Sequence, residues 1–306
     1  MRYFLLIALF CFTVNGFSQF TPIYSQYLMN GLAINPAYAG SRDVLSLSLM
    51  TRRQWVGFDG APFTTTFSGN MPFKNKALAM GLLISNEKIG VRNNLNCYFN
   101  YAYRVRTNNG FLSFGLKAGF ESIKDNDSQI TTQDPNDVVF NNGNRGFILP
   151  NFGFGIYYYN SKFFAGLSVP TFLSYREKSQ GSGFTTYNDA KNYNYLLTTG
   201  FLANINDNFK IKPSILLKYV ANNPLQYDLN CYFIFLKEGK LWLGTSYRSS
   251  DAIVGLFEFQ LNTQWRLGYS YDYSLGGLSK YNSGSHELML RYEFRYIIKG
   301  LNPKYF

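Results

Sequence analysis

Apolar and polar residues alternate with a period of two from Val44 almost to the end of the chain. A period of two places successive side chains on opposite faces of a β-strand. The last such stretch has apolar or aromatic residues on one face and charged residues on the other: Leu288, Leu290, Tyr292, Phe294, Tyr296 and Ile298 against Glu287, Arg291, Glu293 and Arg295. The pattern therefore predicts strands with one apolar and one charged face.

Fourteen such stretches can be counted, near residues 42–52, 62–70, 76–86, 92–106, 111–122, 149–159, 162–173, 192–205, 208–220, 225–236, 240–248, 251–261, 263–274 and 285–298. Most have about 9 to 13 residues, the length that crosses a bilayer at a tilt, whereas globular strands usually have about 5 to 6. The connections after even-numbered strands are short, and the longest of the others cover 123–148 and 174–191. Short turns on one side and long loops on the other are typical of outer-membrane barrels.

The predicted fold class is therefore all-β: a transmembrane antiparallel outer-membrane β-barrel of about 14 strands. In the alternative, a soluble sandwich, the charged faces would meet solvent and the apolar faces would form a core. Composition favours the barrel, because 15% charged residues is well below the ~25% of soluble domains. Since fourteen is an even number, both chain ends are expected on the periplasmic side, beside the short turns.

The first 18 residues are predicted to be a secretory signal peptide, with one arginine, an apolar run over 4–14 and a small residue at Ser18. Beyond them no apolar run approaches the roughly 18 to 20 residues of a spanning helix. The expected organisation is a signal peptide (1–18), an N-terminal periplasmic or plug segment (19–41), the barrel (42–298) and a C-terminal periplasmic tail (299–306). The expected location is the outer membrane of a Gram-negative cell, as an integral protein.

The plug segment contains "GLAINPAYAG" at residues 31–40. The pair Asn35-Pro36 is expected to end a short helical turn over 24–32, and Gly40 to direct the chain into the first strand. A fourteen-stranded lumen is wide enough to admit polypeptide. The candidate plug residues are Tyr24, Tyr27, Asn35, Pro36 and Tyr38; the alternative, a simple turn before a strand, stays open.

Catalytic and metal chemistry has little support in this sequence. His286 is the only histidine, and in a strand its side chain points to the face opposite that of its neighbour Ser285. Cys97 and Cys231 lack metal-ligand spacing and lie on strands that are not neighbours, which favours free thiols over a disulfide. We therefore expect no enzyme, no cofactor and no metal, and an outer-membrane lipid hydrolase is disfavoured.

Charged residues with lumen parity form the largest candidate set: Arg104, Lys117, Lys210, Lys212, Asp228, Glu258, Arg266, Asp272, Arg291, Glu293 and Arg295. Paired carboxylates can act as acid and base, but the many bases among them favour ion pairs that brace a packed or narrow interior. The formal charge of +11, or +10 without Arg2, comes from residues spread along strands with no run of five. Nucleic-acid binding is therefore not expected.

The first long loop begins with "RRQWVGFD" at residues 52–59. Arg52, Arg53, Trp55 and Asp59 form a candidate docking surface for a partner, since Trp and Arg often dominate protein contacts. The alternative is structural: Trp55 lies in an aromatic girdle, and the arginines pair with lipopolysaccharide phosphates or loop carboxylates.

Several short motifs occur in order: "NPAYAG", "RRQWVGFDGAPFTTTFS" at 52–68, "SNEKIG" at 85–90, "SYDYS" at 270–274, "SHELMLRYEF" at 285–294 and the terminal "NPKYF". Together they resemble the PorP/SprF family of Bacteroidota outer-membrane proteins, from about Tyr24 to the end. The resemblance implies a non-catalytic barrel of the type IX secretion system that helps to deliver or hold adhesins with a type B C-terminal domain, and that supports motility in gliding bacteria. It also implies other secretion components as partners, among them an OmpA-like, peptidoglycan-binding periplasmic protein, besides outer-membrane lipid. The competing hypothesis from the residues alone is a passive porin or hydrophobic-solute channel.

Overall fold

The computed structural model describes residues 24–126, 145–177, 184–236, 239–249 and 251–294. The signal peptide, the C-terminal tail and Arg295 lie outside these ranges. The strands are β1 (Ser46–Arg53), β2 (Phe63–Pro72), β3 (Leu78–Ile89), β4 (Arg92–Thr107), β5 (Gly110–Asp125), β6 (Arg145–Tyr159), β7 (Phe163–Val169), β8 (Ser174–Glu177), β9 (Phe184–Tyr187), β10 (Tyr195–Phe201), β11 (Ala203–Asn206), β12 (Phe209–Tyr219), β13 (Gln226–Phe235), β14 (Leu241–Arg248), β15 (Ala252–Gln260), β16 (Trp265–Ser274) and β17 (Ser285–Glu293).

The long strands form one closed antiparallel barrel. Each strand from β1 to β6 pairs with the next one in the chain. Strand β7 pairs with β10, β10 with β12, and from β12 each strand again pairs with the next up to β17, which pairs with β1. Strand β11 continues β10 along the same edge of β12. Counting these two as one gives fourteen strands in the described barrel, so the predicted fold class is confirmed.

The observed strand bounds differ from the predicted ones at several ends. Strand β1 begins at Ser46 rather than at residue 42, because Arg42 and Asp43 are held by ion pairs in the lumen. Strands β4 and β5 each have 16 residues, more than the roughly 9 to 11 that cross a bilayer, and pair along their whole length. The loop expected over 174–191 includes the hairpin of β8 and β9.

The outer wall of the barrel is apolar. Phe99 on β4 and Leu116 on β5 are 65% and 61% exposed, while their strand neighbours Tyr98 and Lys117 are buried on the inner face. Exposed apolar area costs ~25 cal/mol per Å² in water, and contact with lipid removes this cost. The wall therefore has the polarity of a transmembrane barrel.

The core of the protein lies inside the barrel. Buried residues of the N-terminal segment, such as Leu32 and Tyr38, form one cluster with inward side chains of the strands, such as Tyr157, Phe164 and Trp242. Among the described residues, no helix is long and apolar enough to cross a membrane.

We predict that Leu116→Arg destabilises the folded barrel by about 2 to 4 kcal/mol, because it places a cation near the middle of the lipid-facing wall. The measurement is urea unfolding in lipid vesicles. The control is Asn109→Arg, which adds the same charge in the exposed turn between β4 and β5 and should change stability by less than about 0.5 kcal/mol. Equal effects of the two substitutions would contradict the lipid-facing assignment.

Candidate functional site

Residues 24–45, here called the lumen segment, run along the inside of the barrel. At one end Asp43 accepts a hydrogen bond from Arg104 at 2.6 Å, near the short-turn, periplasmic end of β4. At the other end Ser25 contacts Asp272, near the long-loop, extracellular end of β16. Tyr24 lies in the extracellular half of the lumen, because the polar groups that hold Ser25 lie there. The expected periplasmic start of the N-terminal segment, at residue 19, lies outside the described residues.

The lumen segment is a series of tight turns rather than the single helical turn predicted over 24–32. The Met29 N–H donates to the Gln26 carbonyl at 2.9 Å, and a 3-10 helix follows at Gly31–Ala33. A second 3-10 helix, Pro36–Tyr38, is capped by Asn35, whose Oδ1 accepts from the Ala37 N–H at 2.9 Å. Proline suits a first helical position because it has no N–H to leave unpaired there. Pro36 therefore begins a helix here.

Two glycines on neighbouring strands make room for this second helix. Gly115 and Gly155 face each other on β5 and β6. A Cβ at Gly115 would lie 2.1 Å from the Ala37 nitrogen, and one at Gly155 would lie 2.1 Å from Asn35 Oδ1. Glycine in a strand interior often marks the close approach of another backbone. Here it lets the segment lie directly on the barrel wall.

The extracellular end of the lumen segment is held by a buried charge cluster. Arg52 donates to Asp272 at 2.7 Å, to Glu287 at 3.1 Å and to the Ser25 hydroxyl at 2.8 Å. The two oxygens of Glu287 accept the backbone N–H groups of Ser25 (3.0 Å) and Gln26 (2.9 Å). Strand parity turns Arg52 inward, where it is 4% exposed, so it lies in the lumen and not on the extracellular surface where the sequence analysis placed it.

Three tyrosines hold the lumen segment at different points along its length. The Tyr24 hydroxyl is 2.5 Å from Thr66 Oγ1, and the Tyr27 hydroxyl accepts from Asn230 at 2.6 Å. Tyr38 packs edge-on against Tyr157, with 5.7 Å between ring centroids. Loss of hydration raises the pKa of Tyr24 to about 12, so this hydroxyl keeps its proton at neutral pH.

The periplasmic end of the lumen segment carries its own charges to the wall. Arg42 pairs with Glu293, and Arg291 donates to the Met29 carbonyl and, at 3.3 Å, to the Ser48 hydroxyl. The Asp43 carboxylate lies 3.7 Å from Lys76 in addition to its contact with Arg104. Ion pairs and hydrogen bonds thus join the lumen segment to the barrel wall at this end.

The other candidate lumen charges contact the wall itself. Glu258 pairs with Arg266 at 3.3 Å, and Asp228 with Arg248 at 3.1 Å. Lys212 lies 5.5 Å from the Trp242 ring centroid, and Lys210 is partly exposed. Arg295 lies outside the described residues.

A cavity of about 190 Å³ remains in the extracellular half of the lumen, between the lumen segment and the wall. We call it the vestibule. Its charged lining consists of Arg52, Glu87, Lys117, Glu121 and Lys218, with Tyr98 beside Lys117.

The remaining candidate docking residues lie outside the lumen. Arg53 and Asp59 are exposed, and Trp55 is half-buried with its N–H donating to Ser285 Oγ at 3.1 Å. Trp55 has a φ of 44°, an uncommon backbone conformation for a large residue.

The side chains that could take part in catalysis or redox chemistry are not brought together into one site. Ser285 is buried in the lumen, while His286 lies on the other face, with Nδ1 2.8 Å from the Tyr269 hydroxyl. Cys97 and Cys231 are free and half-buried. No group of three potential metal ligands occurs in the part of the chain that the structure describes.

Sequence reasoning missed several residues that join the lumen segment to the wall: Gly115, Gly155, Arg42 and Asp43. It also missed Arg248, which pairs with Asp228 and lies 3.6 Å from Asp272. The glycines had a usable signal, because glycine inside a strand suggests close backbone approach. The charged residues had no such signal, since Arg42 and Asp43 lie within the first predicted strand, 42–52.

Comparison with known families gives one match. A sequence profile described as "Type IX secretion system membrane protein PorP/SprF" matches residues 16–292. Sequence comparison with curated proteins gives no match.

Solved structures with a similar fold are outer-membrane barrels. The CymD monoaromatic hydrocarbon channel has 12% identity and a TM-score of 0.51, with 92% of this chain and 96% of that chain covered. Omp33 of Acinetobacter baumannii has 11% identity and a TM-score of 0.49, with 83% and 100% covered. The P. putida toluene transporter TodX has 9% identity and a TM-score of 0.49, with 86% and 93% covered. At 12% identity the similarity to CymD shows a shared barrel fold and no more.

We predict that Arg52→Ala lowers the free energy of unfolding by about 3 to 5 kcal/mol, because it leaves the buried carboxylate of Glu287 without its cation and that of Asp272 with only Arg248, 3.6 Å away. Urea titration of the refolded barrel measures this change. Arg53→Ala is the matched control: the neighbouring side chain is exposed, and its loss should cost less than about 0.5 kcal/mol. A small effect at both positions would show that the cluster contributes little to stability.

Proposed function

The chain belongs to the PorP/SprF family of type IX secretion system membrane proteins, and from this premise we propose that it is a non-enzymatic outer-membrane barrel that binds, helps to secrete or anchors a cell-surface adhesin. Family membership confirms the resemblance seen in the sequence. The proposed cargo is an adhesin with a type B C-terminal domain, and a link to gliding motility is part of the proposal.

The observation that carries this proposal is the occupied lumen. Gln26, Leu32, Ala37 and Ser41, spaced along the lumen segment, are each no more than 1% exposed. A passive channel needs a continuous aqueous passage, and a lumen filled by the protein's own chain does not favour one. Such a barrel can still bind partners through its extracellular and periplasmic surfaces. The occupied lumen therefore supports a binding and anchoring role over the alternative of a porin or hydrophobic-solute channel.

Each face of the barrel is assigned its own partner in this proposal. The long connections, β1 to β2 among them, lie on the extracellular side, where a secreted adhesin arrives. The short turns face the periplasm, where other secretion components, including an OmpA-like peptidoglycan-binding protein, would bind. The apolar wall contacts outer-membrane lipid.

The proposed extracellular docking surface now consists of Arg53, Trp55 and Asp59. Arg53 and Asp59 are exposed at the end of β1 and in the connection that follows it. The hydrogen bond from the Trp55 N–H to Ser285 ties this connection to β17. The loop thus presents a cation and a carboxylate from a fixed base, which suits contact with a folded partner.

We predict that the double variant Arg53→Ala/Asp59→Ala lowers surface adhesin about fivefold, the effect of roughly 1 kcal/mol at an interface. The measurement is antibody labelling of a type B adhesin on intact cells, normalised to the amount of folded barrel in the outer membrane. The matched control, Lys74→Ala/Asp207→Ala, removes an exposed base and an exposed acid from the periplasmic turns and should leave surface adhesin unchanged. Equal adhesin levels in both double variants would argue against this docking surface.

We also predict that deletion of residues 24–40 opens the barrel, because the deletion removes the polypeptide that occupies its lumen. Single-channel recording in planar bilayers should show steady conductance for the deletion variant and none for the full chain. Unchanged conductance after the deletion would rule out the plug.

A point substitution tests the same idea without shortening the chain. Gly115→Val should also raise conductance, because its Cβ meets the backbone of Pro36 and Ala37. Gly255→Val is the matched control, since nothing lies within 4 Å of a Cβ at that strand position. It should conduct like the parent chain.

A further inference from the structure

The vestibule has a charge pattern that no part of the proposed function explains. Its walls come from the first five strands of the barrel together with β10 and β12, and Tyr24, Ala33 and Ile34 of the lumen segment line its inner side. Its volume of about 190 Å³ is somewhat larger than a ~150 Å³ cavity that holds benzene. The space therefore suits one large side chain or the end of a peptide, and not a folded domain.

The deepest charge in the vestibule is the ammonium group of Lys117, about halfway along β5. Lys117 is buried, and its Nζ lies 3.8 Å from the centroid of the Tyr98 ring. Within the described ranges, no carboxylate forms an ion pair with it. A buried ammonium costs several kcal/mol unless an anion offsets the loss of hydration, and a cation–π contact offsets about 2 kcal/mol of it.

A second unsatisfied group lies on the neighbouring strand, outside the vestibule lining. Asn100 is the cross-strand neighbour of Lys117 on β4, is 3% exposed, and neither atom of its amide has a hydrogen-bond partner among the described residues. The vestibule itself therefore offers Lys117 as its donor at this depth.

The carboxylates of the vestibule lie nearer its mouth. Glu121 lies four positions from Lys117 on β5, toward the extracellular end, and accepts hydrogen bonds from the Tyr98 hydroxyl and, at 3.4 Å, from the Asn151 amide. Tyr98 thus contacts both the Lys117 ammonium and the Glu121 carboxylate. Glu87 lies near the extracellular end of β3 and accepts from the Thr64 hydroxyl at 3.4 Å. The vestibule therefore has Lys117 at depth and two carboxylates nearer its mouth, where Arg52 and Lys218 also line it.

From this arrangement we propose that the vestibule binds the carboxylate of an inserted peptide segment, with a basic residue of the same peptide at the entrance beside Glu87 and Glu121. The carboxylate is held by Lys117. That the peptide belongs to a secreted partner rests on the proposed function; the site itself does not.

The direct test uses the purified full-length barrel in detergent micelles and isothermal titration with synthetic peptides. The probe is acetyl-lysyl-triglycine with a free C-terminal carboxylate. Two companion peptides carry a C-terminal amide: one otherwise identical, and one with aspartate in place of the last glycine. We expect the probe to bind and the first amide to lose about tenfold or more in affinity, the equivalent of about 1.4 kcal/mol. Binding of the aspartyl amide would assign the carboxylate to a side chain, and its failure to bind would assign it to a chain end.

Substitutions of two lysines on the same strand supply the matched controls. Lys117→Gln should abolish the preference for the carboxylate, and Lys117→Arg should keep it. Lys124→Gln removes the same charge from an exposed, outward position of β5 and should bind like the parent protein. Heat-modifiable migration on gels checks that each variant is folded. Equal affinity of the parent protein for the free-acid probe and both amides would overturn the proposal whatever the variants do.

An experiment in cells distinguishes failure of this inference from failure of the proposed function. Loss of surface adhesin on deletion of the whole barrel, together with full retention in the Lys117→Gln strain, would overturn the vestibule as a cargo site and leave the proposed function intact. Full retention without the barrel would instead overturn the proposed function. Loss in both strains, with retention in the Lys124→Gln strain, is the result that we expect.

Discussion

The structure depends on pairing the charges that a closed barrel wall encloses. Alternation along the strands sends apolar side chains to lipid and therefore sends charged ones inward, where many are shielded from water. An unpaired buried charge is costly, so most of these charges are paired. The lumen segment supplies part of these partners: Arg42 for Glu293, Asp43 for Arg104, and the Ser25 hydroxyl and backbone N–H groups for Asp272 and Glu287. The lumen segment and the wall thus supply each other's ion-pair and hydrogen-bond partners.

This mutual dependence explains why the segment can occupy so large a lumen without a long helix of its own. The short 3-10 helices satisfy their backbone groups locally, and Asn35 caps one of them while also donating to the Ile156 carbonyl of the wall at 3.0 Å. Gly115 and Gly155 remove the side chains that would hold the two backbones apart. Close backbone approach and apolar packing of Ala37 and Tyr38 together join this part of the segment to the barrel.

The sequence predicted the barrel well because strand parity depends only on local alternation, which the membrane enforces in nearly every strand. Local alternation carries no information on the direction of the lumen segment, because direction depends on contacts between Ser25 and residues almost 250 positions away, such as Asp272. Arg52 shows the same limit. Arg52 stands at the border between the predicted strand 42–52 and the loop that follows. Because the regular strand continues to Arg53, its parity turns Arg52 inward to two carboxylates, while Arg53 stays outside.

The two ends of the lumen have different consequences for function. At the periplasmic end Arg42 and Asp43 of the segment pair with the wall, and these contacts join the segment to β17 and β4. At the extracellular end the segment lies to one side and leaves the vestibule, whose lysine at depth and glutamates at the mouth are fixed in rigid strands. Preorganised charges favour association because little conformational entropy is lost when a ligand arrives. A partner that approaches from outside therefore meets a recess already formed, while the lumen segment separates that recess from the periplasm.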